Sequence, residues 1–417
     1  MDKKIILLVL IILIFLLYSK RMYIFNELIY SDINFKPSIG QNDKFGIIGG
    51  GLCGLSIAYY LVNNNNINNS NIMLFESKDK VCGNIQNYEE NCPAMMSCFD
   101  YKRYKHLPLL MNDLNLKPTK VNSYNTVFFY NGKRFLLKNN ILKNNINLNK
   151  IFYLISNYSK LYELVRAQSS INYFTSNDKF TLSQLFCYIR KNYKYSYYTI
   201  ENGNVSKIIN KLYSNVNNKI IIKKNYQLKN IKVNKYNKIV CTFLNNIKYN
   251  FDKIVLTIPP HYLKNIINPN TQNKELALIY KLSKCCYRQK SYSMFHTFEK
   301  IAKRNSALTY QKVKYLGRYH YILHINPRLF YKVNTIPSNR RISIWYEYED
   351  LCNIDKSYIL DKRYSEITLI QNGKEQRFKK LLKKIQKNNY IYLASSYLSY
   401  TKWCGDAVHL ASYFKNI

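Results

Sequence analysis

Short apolar segments on either side of a glycine cluster give the chain its first clear pattern, which begins at Lys44. Residues 45–48 (FGII) are apolar and predict a buried strand, whereas residues 55–62 (LSIAYYLV) have the periodicity of a helix. An asparagine-rich stretch over residues 63–71 then predicts a surface loop, and residues 72–75 (IMLF) predict a second buried strand. Strand, glycine turn, helix and strand in this order predict a βαβ unit.

The rest of the chain has weaker patterns of the same kinds. Residues 107–117 and 149–168 predict helices, and residues 126–137 (TVFFYNGKRFLL) predict a hairpin around an Asn-Gly turn. Residues 219–260 predict a succession of short strands, with turns at clusters of asparagine and lysine. Near the C-terminus the pattern predicts a basic surface helix, a short strand and a final helix, at residues 374–387, 391–394 and 405–416.

A charge-free segment near the N-terminus, Ile5–Tyr18, is 14 residues long. A membrane-spanning helix needs about 20 residues, although the flanking lysines could extend the apolar length by snorkelling. The length also fits the apolar region of a signal peptide, but residues 19–30 contain no alanine or glycine for a cleavage site. We therefore predict an uncleaved membrane anchor within residues 1–25, followed by a linker over residues 27–43, with a cleaved signal as the alternative.

Composition adds limited information to this pattern. The 417 residues allow about two or three domains at ~150 residues each. The net charge of +39 suggests an anionic partner. Lysine, asparagine, isoleucine and tyrosine, which have A/T-rich codons, are abundant throughout, so a biased genome is an alternative explanation of the lysine excess. Because the basic residues are spread rather than clustered, we do not predict nucleic-acid binding. The ten cysteines form no C-x-x-C pair and no H-E-x-x-H occurs, so we predict no metal site and expect buried, apolar cysteines.

Glycine is scarce but concentrated, with five of the 12 glycines lying between Gly46 and Gly54. Gly49, Gly51 and Gly54 form a G-x-G-x-x-G pattern between the predicted strand and helix. The first glycine permits a tight turn, the second lets the backbone approach a pyrophosphate, and the third lets the helix pack close to the strand. Glu76, at the end of the second strand, is placed to accept a hydrogen bond from a ribose hydroxyl.

The segments FGIIGGGLCGLSIAYYL and IMLFESKDKVCGNI together resemble the start of the flavin amine oxidase superfamily. In that pattern Cys82 replaces the first glycine of a G-G turn, and Asn84 stands where arginine or lysine is common. The resemblance implies an FAD cofactor and an α/β fold with a discontinuous Rossmann-like domain. The residues that it implies as FAD contacts in this region are Gly49, Gly50, Gly51, Leu52, Cys53, Gly54, Glu76, Ser77, Lys80 and Gly83.

Later segments resemble the same superfamily. ENGNVSKIINKL keeps one glycine, Gly203, of a turn that opens a helix, and NYQLKNIKV places Leu228 at the position that contacts adenine. FDKIVLTIPPHYLKNII resembles the segment in which an aspartate, here Asp252, precedes a strand and a small-x-Pro turn. YLASSYLSYTKWCGDAVHLASYF resembles the C-terminal flavin motif, with Ser395 at a usual glycine position. The resemblance implies that the helix of this motif opens at the flavin with Gly405, Asp406 and Ala407.

Among the subfamilies, the protoporphyrinogen oxidases are the most similar. NCPAMMSC, LPLLMNDLNLK, TVFFYNGKRFLL and IPPHYL resemble their successive motifs. This implies oxidation of protoporphyrinogen IX to protoporphyrin IX in heme biosynthesis, with O2 as acceptor and hydride transfer to the flavin. No protein nucleophile is required, so no catalytic residue is predicted. Arg103 is the nearest candidate for binding a substrate propionate, with a solvated charge as the alternative.

The resemblance also implies a domain organisation. An FAD-binding domain would comprise residues 44–103, 196–262 and 385–417. A mixed α+β domain for substrate binding and membrane association would comprise residues 104–195 and 263–384. The resemblance implies that the protein is located at the mitochondrial inner membrane, and a secretory or plastid location stays open. No oligomeric state is predicted. Two other functions remain: another flavin amine oxidase, acting on a polyamine, amino acid or carotenoid-type substrate, or a degenerate flavin-binding membrane protein without catalysis.

Overall fold

The structure is a computed structural model, and the residues that it describes form the following ranges: 36–64, 67–83, 85, 87–89, 92–93, 99–100, 105–120, 126–130, 133–137, 197–200, 206–297, 308–315, 318–326, 328, 337, 340–346, 356–371, 373–398 and 404–415. These ranges do not include the predicted anchor, the predicted helix over residues 149–168, Gly203 or Arg103. Within them, no helix has both the length and the apolar character needed to cross a bilayer.

The helices and strands of these ranges are numbered in chain order. The α-helices are α1 (Leu52–Val62), α2 (His106–Asp113), α3 (Ser206–Val216), α4 (Pro260–Ile266), α5 (Lys274–Ser283), α6 (Glu375–Ile385) and α7 (Cys404–Ala411). The 3₁₀ turns are Asn69–Asn71, Lys356–Tyr358, Ser396–Leu398 and Ser412–Phe414. The strands are β1 (Phe45–Ile48), β2 (Ile72–Phe75), β3 (Asn87–Glu89), β4 (Cys92–Pro93), β5 (Phe99–Asp100), β6 (Pro118–Lys120), β7 (Thr126–Tyr130), β8 (Lys133–Leu137), β9 (Tyr197–Ile200), β10 (Ile221–Lys223), β11 (Leu228–Val233), β12 (Ile239–Phe243), β13 (Lys248–Phe251), β14 (Lys253–Leu256), β15 (Cys286–Thr297), β16 (Leu308–Tyr315), β17 (Arg318–Ile325), β18 (Arg340–Tyr346), β19 (Ile359–Ile370) and β20 (Ile391–Leu393).

A five-stranded parallel sheet, in the order β10-β2-β1-β14-β20, forms the centre of the first structural unit. Every residue of β1, β14 and β20 except Lys253 is buried, as expected for strands of a parallel sheet that is covered on both faces. Helix α1 has ten buried residues out of eleven and packs against α3 and α7. Its apolar sequence is therefore explained by contacts on several sides rather than on one.

A three-stranded antiparallel meander, β11-β12-β13, packs beside the end of β2. The rings of Phe75 and Phe243 are stacked with centroids 4.5 Å apart. Tyr226, Tyr249 and Phe251 surround this pair at centroid distances of 5.1–5.9 Å from Phe75. The aromatic cluster fixes the meander against the same end of β2 that carries Glu76.

A seven-stranded sheet, in the order β19-β15-β18-β17-β16-β7-β8, forms the second unit. It is antiparallel except where β16 pairs with β7. Strands β15 and β19, each 12 residues long, pair along their length and adjoin α4 and α5 through β15. The strands of this sheet fall in the two segments predicted for a substrate domain, and those of the parallel sheet fall in the three segments predicted for FAD binding. The exact boundaries remain a prediction.

Most of the elements predicted from sequence are present where the structure describes them. These include the βαβ unit, the β7–β8 hairpin, the strands between residues 219 and 260, and the three C-terminal elements. The predicted linker over residues 27–43 is wrong at its end, because Ile39 is buried in the core and the Tyr392 hydroxyl donates to the Ser38 carbonyl oxygen at 3.2 Å. The final helix is shorter than predicted, since α7 ends at Ala411 and passes into a 3₁₀ turn.

A half-buried carboxylate on α5 joins this helix to the start of β20. Glu275 accepts hydrogen bonds from the backbone N–H groups of Asn389 and Ile391 at 2.9 and 3.0 Å, one on each oxygen. Burial raises the pKa of Glu275, and the hydrogen bonds from the backbone N–H groups oppose this shift. Because the carboxylate accepts from two N–H groups, a neutral amide cannot replace it without placing a donor against a donor.

We therefore expect Glu275→Gln to lower the free energy of unfolding by about 1–3 kcal/mol, the usual cost of an unsatisfied buried donor. The matched control is Glu375→Gln, in the first turn of α6, where only the favourable charge at a helix N-terminus is lost, about 0.3–1 kcal/mol. Denaturant unfolding of both variants measures the difference. Equal losses would mean that Glu275 does not hold β20.

Candidate functional site

The parallel register brings loop residues from four neighbouring strands to one edge of the sheet. Ile48 is level with Phe75 on one side and Leu256 on the other, and Leu256 is level with Leu393. The residues that follow these strands therefore form a row: Glu76 after β2, Gly49 after β1, Thr257 after β14 and Ala394 after β20. Backbone bonds continue past the strands, from Gly49 N to Phe75 O at 2.8 Å, Thr257 N to Ile48 O at 2.9 Å and Ala394 N to Leu256 O at 3.0 Å.

The turn between β1 and α1 leaves no room for side chains at two of its glycines. Gly49 has φ +113°, a conformation that other residues rarely adopt, and a Cβ there would lie 2.5 Å from Thr257 Oγ1. A Cβ at Gly54 would lie 1.9 Å from the carbonyl oxygen of Gly49. These positions permit the tight turn and the close approach of helix to strand that the G-x-G-x-x-G pattern predicts.

Thr257 supports this turn from the neighbouring strand, although its sequence pattern alone did not single it out. Its hydroxyl lies 2.9 Å from the carbonyl oxygen of Ile48 and 3.0 Å from that of Gly49. It belongs to the small-x-Pro turn that ends at Pro259. The predicted aspartate of the same segment, Asp252, lies at the opposite end of β14, where it accepts from Lys44 N at 3.0 Å and pairs with Lys238.

Glu76 is buried, with 6% of its surface exposed, and its carboxylate organises two loops. Oε2 accepts a hydrogen bond from Gly50 N at 2.7 Å. Oε1 accepts from Lys78 N and from the Ser77 hydroxyl, each at 3.0 Å. The carboxylate thus links the glycine turn to the loop after β2, and Oε2, which accepts one hydrogen bond, can accept another from a ribose hydroxyl.

Two backbones face each other across the mouth of the glycine turn. Gly83 has φ +59°, and a Cβ there would lie 3.0 Å from the Cα of Gly51. A Cβ at Gly51 would meet nothing closer than the Cα of Gly83, at 3.5 Å. The lack of side chains at both positions exposes backbone at the start of α1, where unpaired N–H groups and the helix dipole favour an anion. The residues present therefore fit a diphosphate.

Other predicted contacts lie around this turn. Leu52 and Cys53 form the first turn of α1, and both are buried. Ser77 and Lys80 are exposed in the loop after β2. Leu228 is buried at the start of β11, two residues after Tyr226, whose N–H donates to the Glu76 carbonyl oxygen at 2.8 Å.

The C-terminal segment contacts α1, the helix that follows the glycine turn. The Cys53 thiol lies 3.2 Å from the carbonyl oxygen of Ala394 at the end of β20. Gly405, Asp406 and Ala407 lie in the first turn of α7 and are buried, and α7 packs against α1. Burial raises the pKa of the Cys53 thiol and raises that of Cys404 to about 12. Neither cysteine is therefore a thiolate nucleophile at neutral pH.

The comparisons with known proteins agree with this geometry. Residues 47–112, which include the glycine turn and Glu76, match the family described as "NAD(P)-binding Rossmann-like domain". No curated protein matches the sequence.

The fold is similar to that of several solved structures, amine oxidases among them. A provisionally named protoporphyrinogen oxidase from Exiguobacterium sp. 255-15 is similar with a TM-score of 0.60 and 13% identity, over 89% of this chain and 98% of that one. Cyclohexylamine oxidase from Brevibacterium oxydans IH-35A is similar with a TM-score of 0.59 and 10% identity, over 88% and 97%. A fatty acid isomerase from P. acnes that produces CLA has a TM-score of 0.60 and 11% identity, over 90% and 99%. The Rossmann-like match and these neighbours therefore agree on the fold around the glycine turn.

The contact between the two glycines of the turn gives a test of the fold itself. In Gly54→Ala the new methyl group would meet the Gly49 carbonyl oxygen, so we expect the free energy of unfolding to fall by about 1–3 kcal/mol or more. In the control, Gly40→Ala, the nearest atoms lie 3.4–3.5 Å away and the change should stay within about 0.5 kcal/mol. Thermal unfolding of the cofactor-free proteins is the measurement, and a stable Gly54→Ala protein would contradict the close helix–strand packing.

Proposed function

We propose that the protein is an FAD-dependent oxidoreductase of the flavin amine oxidase type. The observation that carries the proposal is the cradle formed by Gly51 and Gly83 at the start of α1, with Glu76 beside it. A diphosphate would lie against the exposed backbone of this cradle. The adenosine ribose would lie on the β2 side, at Glu76, and Leu228 would contact the adenine. When bound, FAD supplies the acceptor for a hydride.

The chain's own residues bind and orient the cofactor in this proposal. Gly50 and Lys78 donate backbone N–H groups to Glu76 and so fix the carboxylate at the ribose. The Thr257 hydroxyl contacts the carbonyl oxygens of Ile48 and Gly49 and so holds the turn in place. We assign no side chain to proton transfer, because hydride transfer to a flavin requires no protein nucleophile.

Protoporphyrinogen is our proposed substrate. Support comes from the sequence motifs, from the likeness to the Exiguobacterium protein and from a net charge of +39, which suits a substrate with carboxylate arms. Arg103 remains the predicted contact for one arm. The same fold is shared with putrescine and cyclohexylamine oxidases, so amine oxidation is the second candidate. Membrane attachment through residues 1–25, and a mitochondrial location, remain predictions from the sequence.

Replacement of Gly51 separates cofactor binding from folding. We expect Gly51→Ala to keep the stability of the cofactor-free protein, because its Cβ meets only ordinary contacts. The same methyl group would occupy the space of the diphosphate, so we expect FAD affinity to fall by at least about tenfold, or 1.4 kcal/mol. Titration of cofactor-free protein with FAD, with Gly40→Ala as the control, provides the measurement. Wild-type affinity in Gly51→Ala would place the diphosphate elsewhere.

Substrate identity is tested by anaerobic reduction of the bound flavin. We expect protoporphyrinogen to bleach the yellow absorbance of the FAD-loaded full-length protein, whereas putrescine and cyclohexylamine leave it unchanged. The cofactor-free protein serves as the control for protoporphyrin that residual O2, rather than the flavin, produces. Bleaching by an amine alone would assign the protein to the second candidate. Bound FAD that no substrate reduces would favour the non-catalytic alternative.

A further inference from the structure

The outer side of α6 is strongly basic. An exposed lysine or arginine recurs along this side of the helix and of the turn that follows it. Five residues form this side, which we call the basic face: Arg377, Lys380, Lys383, Lys384 and Lys387. The backbone N–H of Lys387 donates to the Lys384 carbonyl oxygen at 3.1 Å, so the chain keeps turning past the end of α6. At 3.6 residues per turn, these positions fall within an arc of about 120°.

The opposite side of α6 is fixed in the core. Phe378, Leu381, Leu382 and Ile385 are buried, and α6 packs against α5. Because this apolar side is already covered by protein, α6 cannot insert it into a bilayer or a partner. A partner would meet only the charged side of the helix, so the attraction would be electrostatic.

The lysine-rich composition of the whole chain does not account for this concentration of charge. Residues 374–387 contain seven lysines and arginines among 14 residues, whereas the chain contains 63 among 417. Helices α5 and α6 have one acidic residue each, Glu275 and Glu375. Glu275 is engaged by two backbone N–H groups, and the helical spacing places Glu375 outside the arc of the basic face. The helix pair therefore leaves the face with a net positive charge.

Exposed lysines continue this charge onto α5. Lys281 and Lys284 lie at its C-terminal end, where the Lys374 ammonium donates to the Lys284 carbonyl oxygen at 3.5 Å. At its other end, Glu275 contacts the chain that follows α6. The two helices therefore run antiparallel, and basic residues lie at both ends of the pair.

The first described residues lie beside the C-terminal end of α6. The Tyr392 hydroxyl lies 3.2 Å from the Ser38 carbonyl oxygen and 2.7 Å from that of Asn389, two residues after Lys387. Ten residues separate Lys36, the first described residue, from the predicted anchor over residues 1–25, and ten residues reach at most about 36 Å. An anchor embedded in a bilayer would therefore hold this end of α6 near the lipid surface.

We propose that the basic face of α6 docks onto a bilayer that contains anionic phospholipids. Clusters of lysine and arginine on an amphipathic helix bind such surfaces, with about a fivefold gain in affinity for each residue near the headgroups. Four of the five residues are lysines, which act as point charges and suit a layer of headgroups, whereas arginine is the residue of choice for nucleic acids.

The docking surface and the cofactor crevice lie at opposite edges of the parallel sheet. Helix α6 ends at the amino end of β20, whereas the glycine turn and Glu76 follow the carboxyl ends of β1 and β2. The inference is therefore independent of the proposed function, and docking leaves the crevice uncovered.

Removal of charge from the basic face tests the inference in the full-length protein. The variant carries Lys380→Gln, Lys383→Gln and Lys384→Gln. We expect its affinity for vesicles of equal parts phosphatidylcholine and phosphatidylserine to fall at least about tenfold, and its affinity for phosphatidylcholine vesicles to stay unchanged. Sedimentation with the vesicles is the measurement. Insertion of an apolar anchor would contribute alike to both kinds of vesicle, so their difference isolates the charges.

Two matched variants serve as controls. Lys232→Gln, Lys235→Gln and Lys248→Gln together remove the same charge from exposed lysines of the β11-β12-β13 meander, at the other edge of the parallel sheet. This variant should bind the mixed vesicles like wild type. Replacement of the three α6 lysines by arginine keeps the charge and should also preserve binding. Because all these side chains are exposed, thermal unfolding should be unchanged in every variant.

Several results would overturn the inference. One is wild-type affinity of the α6 glutamine variant for the mixed vesicles, and another is an equal loss in the meander variant, which would assign binding to the net charge of the chain. A wild type that does not prefer the mixed vesicles would also contradict it. If the α6 glutamine variant lost more affinity for duplex DNA than for the vesicles, the occupant would be a nucleic acid. Failure of wild type to bind FAD would overturn the proposed function alone.

Discussion

The close approach of α1 to β1 is the constraint on which the rest of the site depends. The Cα of Gly54 lies so near the Gly49 carbonyl oxygen that a methyl group could not fit between them. This approach fixes the helix start over the end of β1, where its unpaired N–H groups are exposed. The helix must then be covered elsewhere, and α3 and α7 cover it. The steric requirement of these two glycines therefore fixes the helix start at which we propose that an anion binds.

Buried polar groups are placed around this turn to keep its backbone satisfied. Glu76 accepts from Gly50 on one side, and the Thr257 hydroxyl contacts the carbonyl oxygens of Ile48 and Gly49 on the other. The turn thus depends on both neighbouring strands. Glu76 lies 26 positions after Gly50, and Thr257 lies 208 positions after Gly49. Because the proposed ribose site and the turn share the Glu76 carboxylate, its removal would disturb both, and mutation of Glu76 alone cannot separate binding from folding. Gly51 is the better probe, since its contacts in the protein are ordinary ones.

The sequence predicted the parts of this site that are local in the chain. The glycine pattern, the short apolar runs and Glu76 lie within about thirty residues, and periodicity identifies them. The row that also contains Thr257 and Ala394 depends on which strands are neighbours. No pattern in a single sequence gives the order of strands in a sheet. The long strands β15 and β19 escaped prediction because polar and aromatic residues such as those of CYRQKSYSMFHT do not alternate clearly between two faces. Ser38 is held against the parallel sheet by Tyr392 and Lys253, which lie more than 200 residues later in the chain.

Two departures from the superfamily pattern have different physical meanings. At the G-G turn, only Gly83 has a positive φ and faces Gly51 at a distance that excludes a side chain. Cys82, half-buried, precedes this position, so loss of the first glycine leaves the geometry of the cradle intact. At Ser395 the change adds a polar group in a place where burial without a partner is unfavourable. Within the described part of the chain, the Ser56 hydroxyl in α1 is buried and unpaired in the same way. The unpaired hydroxyl of Ser395 therefore does not by itself indicate a ligand.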